Sequence, residues 1–142
     1  MANKRPRVLL IEDNPADANL VEEALAEAEL DCDLAILSDG AQAVEFFERL
    51  DAGSPEEFPD VILLDLNLPK VPGETVLERV RLSPRGGTAK VFVISSSDAP
   101  TDRERAVKLG ASGYFRKPSN LTQFMELGPR VRELLEDTIW EA

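Results

Sequence analysis

The 142-residue sequence contains no histidine and one cysteine, Cys32. The first absence removes the commonest metal ligand and general acid–base group, and the second excludes a disulfide framework or a Cys-rich zinc site. A reducing compartment suits such a chain. With 8 glycines and 10 prolines, collagenous and low-complexity classes drop out. Long hydrophobic runs are also missing. The apolar run 8–11 follows seven mostly polar residues and ends at Glu12-Asp13, too short for a signal peptide or a membrane span. A cytoplasmic location with no membrane partner is expected. Positive charge is scarce as well: 16 Lys and Arg against 27 Asp and Glu leave a net −11, which opposes binding to phosphate backbones. No nucleic-acid partner is expected. What remains, 43% hydrophobic and 30% charged, is ordinary globular composition, and the length fits one domain spanning 1–142.

Three apolar runs, 8–11, 61–64 and 91–94, are rich in β-branched residues and each leads into a polar one. They read as strands buried on both faces of a parallel sheet. Weaker strand candidates lie at 32–37 and 113–116. Between them the spacing is helical. Leu20, Val21, Ala24, Leu25 and Ala28 share one face of a first helix, with Asn14 as N-cap and Pro15 at N1. Further helices are expected over about 40–50, 73–82 and 101–109, the last closing at Gly110. A long fifth runs over about 121–140, bent or interrupted at Gly128-Pro129. Five βα units in succession predict an α/β fold, a doubly wound five-stranded parallel sheet with helices on both faces. Ligands of such folds bind at the carboxyl ends of the strands.

The residues at those ends are Glu12-Asp13, Asp65, Ser95 and Lys117. Acids converging on one edge repel unless a cation lies between them, and Mg²⁺ suits a site of a few carboxylates completed by phosphate oxygens. Lys117 offers a positive charge and Ser95 a hydroxyl, both suited to phosphate chemistry. Each residue alone has a plainer reading. Glu12 or Asp13 could serve as a helix-terminal acid, Lys117 before proline could be solvated, and Ser95-Ser96-Ser97 could be a polar loop. Their joint occurrence, in strand order, is the signal.

The series Leu10-Ile11-Glu12-Asp13-Asn14, Ile62 through Pro69 with Gly73, Val93-Ile94-Ser95, Gly110 through Tyr114 and Lys117-Pro118 resembles the receiver domain of two-component response regulators. The likeness covers nearly the whole chain. The run Asp65-Leu66-Asn67-Leu68-Pro69-Lys70 and a lengthened loop over 51–59 are similar to stand-alone receivers paired with phytochrome-type histidine kinases. The resemblance implies that Asp65 accepts a phosphoryl group from a phosphohistidine of the kinase. It implies that Glu12, Asp13, Asp65 and the backbone carbonyl of Asn67 hold Mg²⁺. Lys117 would pair with the acyl phosphate, Ser95 would move to hydrogen-bond it, and Tyr114 would swing inward as the reporter. Lys117-Pro118 would be a cis peptide. The chain would act on no substrate but itself. Ser95 stands where threonine is commoner, and Pro72 where an acid is frequent.

A Mg²⁺-dependent phosphatase or phosphotransferase working on a small substrate through Asp65 is the main alternative. Enzymes of the haloacid-dehalogenase type carry a second Asp two residues on, where this chain has Asn67. A binding-only scaffold conflicts with the complete residue set, and no Gly-x-Gly-x-x-Gly follows the first strand to suggest a dinucleotide. Charge is unevenly divided. Residues 1–71 carry 5 basic and 17 acidic side chains, and residues 72–142 carry 11 and 10. The acids on and just after the first helix read either as a solvated face or as a kinase-docking face. Arg103, Arg105, Lys108, Arg116 and Lys117 leave the opposite side more basic. At the C-terminus, Leu121, Phe124 and Met125 supply the sheet-facing stripe. Leu127, Val131, Leu134, Leu135, Ile139 and Trp140 follow. Either the segment folds back on its own domain after a bend at Gly128-Pro129 or, as expected, Leu134, Ile139 and Trp140 pair with a second copy through the fourth-helix to fifth-helix face, as a homodimer.

Overall fold

The three apolar runs form the middle of a single parallel sheet, where both faces are covered and alternation of polar and apolar residues is lost. The computed structural model describes residues 5–84, 89–97 and 99–140, with side chains to Glu136. Strands β1 (Arg7–Ile11), β2 (Asp33–Leu37), β3 (Val61–Asp65), β4 (Lys90–Ser95) and β5 (Gly113–Arg116) stand in the order β2-β1-β3-β4-β5. Helices α1 (Pro15–Glu27), α2 (Gly40–Asp51), α3 (Gly73–Leu82), α4 (Pro100–Lys108), α5 (Leu121–Phe124) and α6 (Leu127–Trp140) connect or follow them. The expected doubly wound α/β fold is the observed one.

Successive strand side chains point to opposite faces, and the core divides accordingly. Val8, Leu10, Val61, Leu63, Phe92 and Ile94 pack with α1, α5 and α6. Leu9, Ile11, Ile62, Leu64 and Val91 pack with α2 and α3. Strand β2 is an edge and is half open, with Ile36 exposed. The first helix begins as its sequence dictates: Asn14 Oδ1 accepts the N–H groups of Ala16 and Asp17, and Pro15 takes the first position. Helix α4 closes at Gly110, whose φ of 98° only glycine adopts readily.

The C-terminal segment departs from expectation. The interruption falls at 125–126, before Gly128-Pro129, so that proline lies in the first turn of α6, where its missing N–H has no helical acceptor to lose. Phe124 is buried, but Leu121 is 57% exposed and does not belong to the sheet-facing stripe, because α5 is a single turn whose first residue points outward. Leu127, Val131 and Leu135 are buried against α1 and the sheet, and Leu134 packs beside them. Of the apolar residues that follow Met125, Leu127, Val131 and Leu135 are therefore covered, and Leu134 partly covered, by the chain itself. The side chains of Ile139 and Trp140 lie outside the described residues.

Candidate phosphoacceptor site

Strands β1 and β3 are neighbours, yet α1 leaves β1 toward the edge strand β2 while α3 leaves β3 toward β4. Their carboxyl ends therefore flank the point where the connections diverge, which opens a crevice. Asp65 is the last residue of β3, and Glu12-Asp13 follow β1 directly. Glu12 and Asp65 are buried, at 2% and 4% exposure, while Asp13 is exposed at the mouth. One oxygen from each of Glu12, Asp13 and Asp65 lies within 4.8 Å of the others.

Lys117 enters this cluster from the end of β5. Its backbone N–H donates to the Ser95 carbonyl (2.7 Å), which fixes the root of the side chain. Its ammonium then donates to Glu12 Oε1 at 2.7 Å, Asp17 Oδ2 at 2.8 Å and Asp65 Oδ2 at 3.2 Å. The cis bond expected at Lys117-Pro118 is not there: among the described residues every peptide is trans. Trans is the favoured isomer even before proline, and with it Lys117 already reaches the carboxylates.

Burial pushes the Glu12 carboxyl up to about 7, with the neighbouring Asp65 adding to the rise and Lys117 opposing it. Burial alone would push the Lys117 ammonium down. Its hydrogen bonds to Asp17 and Glu12, with the charges of Asp65 and Glu12, more than offset this and hold it above the usual lysine value. Lys117 is thus charged throughout the neutral range, and Glu12 is the acid whose charge is marginal there.

Asn67 links Asp65 to β4. Its N–H donates to Asp65 Oδ1 at 2.9 Å, and its side-chain amide donates to Ser95 Oγ at 3.3 Å. Ser95 is 1% exposed and also accepts from the Ser97 N–H at 3.1 Å. Ser97 continues the chain, since Tyr114 Oη donates to its carbonyl at 2.9 Å and its hydroxyl donates to Asp102 of α4. Tyr114 is buried beneath Arg103, whose guanidinium lies 4.9 Å from the ring centre.

Gly73 sets the floor of the loop after Asp65. A Cβ there would stand 2.4 Å from the Asp65 carbonyl oxygen and 2.6 Å from Leu66 Cα, so only glycine lets α3 start this close to Asp65.

Glu12, Asp13, Asp65, Ser95, Asn67 and Lys117, expected together from the sequence, are brought together. Asp17 was missed. Its signal was an acid in the first turn of α1, three residues past the Asn14 cap and so close to the end of β1. The donor set fits a small hard cation: three carboxylates, with oxygen donors only.

Residues 8–127 match the response regulator receiver domain family. The chain belongs to that family. It is 32% identical over 132 residues to the response regulator Rcp1 of Synechocystis, a match covering 93% of this chain and 90% of the relative. Among solved structures it is similar to the phosphorylated cyanobacterial phytochrome response regulator RcpA (32% identity, TM-score 0.82, covering 92% of this chain and 93% of that one). It is similar also to the Mn²⁺-bound form of Rcp1 (32% identity, TM-score 0.79, covering 89% and 91%). As a member of this family the chain is a two-component signalling receiver, and its relatives are regulators rather than enzymes with a separate substrate.

Proposed function

We propose that the chain is a single receiver unit whose Asp65 accepts a phosphoryl group from a phosphohistidine of a sensor kinase. The observation that carries this is the meeting of Asp65 with Lys117, Glu12 and Asp13 at the end of the central strand. An Asp65 oxygen attacks phosphorus in line, the new O–P bond forms as the P–N bond to the donor histidine breaks, and the imidazole leaves. Lys117 neutralises phosphoryl oxygen charge, and Ser95 presents its O–H to another such oxygen. Glu12, Asp13, Asp65 and the Asn67 carbonyl would hold Mg²⁺, which when bound supplies positive charge to the transferring group. The small-substrate phosphatase reading loses its acid–base group here, because Asn67 has an amide with no titratable proton and donates it to Ser95.

A phytochrome-type histidine kinase is the proposed donor, supported by the likeness to phytochrome regulators. The state of Asp65 would then be passed on by protein binding over the α4–β5 side, through Tyr114, in the cytoplasm. Among the described residues no helix is long and apolar enough to cross a membrane. Self-association through that side and the C-terminal tail belongs to the same proposal, with Leu134 itself packed on the chain's own core.

The test is incubation with acetyl phosphate and Mg²⁺ followed by intact-mass measurement. One phosphoryl group should be gained by the wild type and none by Asp65→Asn. Equal labelling of the two would refute the assignment.

A further inference from the structure

Lys117 has three N–H donors, and three carboxylates occupy them. Phosphorylation of Asp65 frees the donor that its own carboxylate holds at 3.2 Å, and Lys117 can grip a second phosphoryl oxygen only if Glu12 or Asp17 gives up its share. Glu12 releases its share less readily, because its side chain is 1% exposed and water cannot take the place of the ammonium there. Asp17 differs. Its side chain is 27% exposed, so water can replace the ammonium, and it belongs neither to the acid cluster that could hold a metal nor to the acceptor. It is nonetheless firmly placed: its N–H is capped by Asn14 Oδ1 in the first turn of α1, and its 2.8 Å contact to Lys117 is shorter than the 3.2 Å contact of Asp65.

Resting on the phosphoacceptor reading above, we propose that Asp17 is a positioning residue that competes with the phosphoryl group for Lys117 and so sets how tightly the site holds that group. In the resting chain its carboxylate keeps the ammonium at the α1 side of the crevice. On phosphorylation the donor facing Asp17 passes to a phosphoryl oxygen, and the Asp17 carboxylate turns to water. Two effects then share one sign. Removing the Asp17 charge frees a donor of Lys117, and it also removes a negative charge beside the incoming anion.

The experiment uses beryllofluoride as a phosphoryl stand-in, titrated by ¹⁹F NMR into the full chain at saturating Mg²⁺, with saturation checked for each variant. Asp17→Asn keeps the size and hydrogen-bonding capacity of the side chain and removes its charge. Glu23→Gln removes the same charge from an exposed position on α1. We expect Asp17→Asn to bind beryllofluoride about three- to tenfold more tightly and Glu23→Gln to stay within about twofold of wild type. A variant that had only lost structure would bind more weakly, so the direction itself is diagnostic. Unchanged or weaker binding by Asp17→Asn, or equal tightening by Glu23→Gln, would overturn the competition. Failure of the wild type to bind beryllofluoride with Mg²⁺ would instead remove the phosphoacceptor reading, and this inference with it.

Discussion

Replacing Lys117 with methionine keeps most of the aliphatic stem and deletes the charge, which isolates the electrostatic role of the side chain. The ammonium stands 2.7 Å from Glu12 and 3.2 Å from Asp65, whose side chains are 1% and 5% exposed, so the variant leaves two carboxylates almost without solvent. Breaking a buried pair by removing one partner costs roughly 3–5 kcal/mol. Two features here reduce that figure. The Asp17 carboxylate is part-exposed and returns to water, and Glu12, already raised to about 7 with Lys117 in place, protonates more readily still without it. A loss of about 3 kcal/mol at pH 8 in EDTA is therefore expected, a large share of the roughly 5–15 kcal/mol that stabilises a domain. Without Lys117 the Glu12 carboxyl rises further above 7, so the deficit should be greatest at high pH, shrink as pH falls toward about 7, and change little below it. Mg²⁺ should relieve it too, and should stabilise the variant more than the wild type because no ammonium competes for the carboxylates. Urea unfolding followed by far-UV circular dichroism, with and without Mg²⁺, reads all three effects. An unfolding midpoint in EDTA equal to that of the wild type, or an equal gain from Mg²⁺ in both chains, would show that Lys117 does not hold this cluster together.

Mg²⁺ binding should carry a pH signature of its own. Glu12 must lose its proton to act as a ligand, so affinity should weaken as pH drops through about 7, and calorimetry giving equal affinity at pH 6 and 8 would contradict that. Gly73→Ala should destabilise the chain by about 2 kcal/mol and slow Asp65 labelling, since its Cβ drives into the Asp65 carbonyl; denaturant melts and intact-mass time courses check both, and a neutral substitution would mean the loop after Asp65 yields freely. Sedimentation of the wild type against Trp140→Ala and a chain ending at Glu136 tests the homodimer, which is expected to weaken in both; a wild type that stays monomeric at high concentration, phosphorylated or not, would end that reading.

The fold was legible because each of its units carries redundant local signals. Residues 61–64 have no polar residue to mark a solvent face, which is what a strand covered on both sides requires, and Asn14-Pro15 fixes the start of α1 by cap and φ together. The C-terminal break was misplaced for the opposite reason. Gly128-Pro129 is a strong breaker inside a helix but harmless in a first turn, and which of the two applies depends on where Leu127 and Val131 find buried space against α1, a tertiary fact. Gly128 shows the same dependence: a Cβ there would lie 2.4 Å from the Ala24 carbonyl oxygen, so the residue read as a bend permits close packing of α6 on α1. Likewise, the sequence could place Glu12, Asp13, Asp65, Ser95 and Lys117 at strand ends, because a parallel sheet aligns those ends whatever the side chains do. It could not show how the side chains share hydrogen bonds across them.

That distinction explains why the residues most exposed to misreading are those that connect the site to its surroundings. Asp17 and Asn67 have ordinary sequence readings, as a helix-terminal acid and a loop polar residue. In space each has a partner at a different strand end: Asp17 reaches the Lys117 ammonium after β5, and Asn67 spans from Asp65 on β3 to Ser95 on β4. A charge added at Asp65 therefore meets two links at once. One runs to α1 through Lys117 and Asp17. The other runs through Asn67, Ser95 and Ser97 to Tyr114 and to Asp102 on α4. Helices α1 and α4 lie on opposite faces of the sheet, packing with Leu10 and Leu63 in one case and with Val93 and Tyr114 in the other. The same chemical event can thus be felt on the acidic face of α1 and on the basic face of α4, and a variant that cuts one link, such as Asp17→Asn, leaves the other intact.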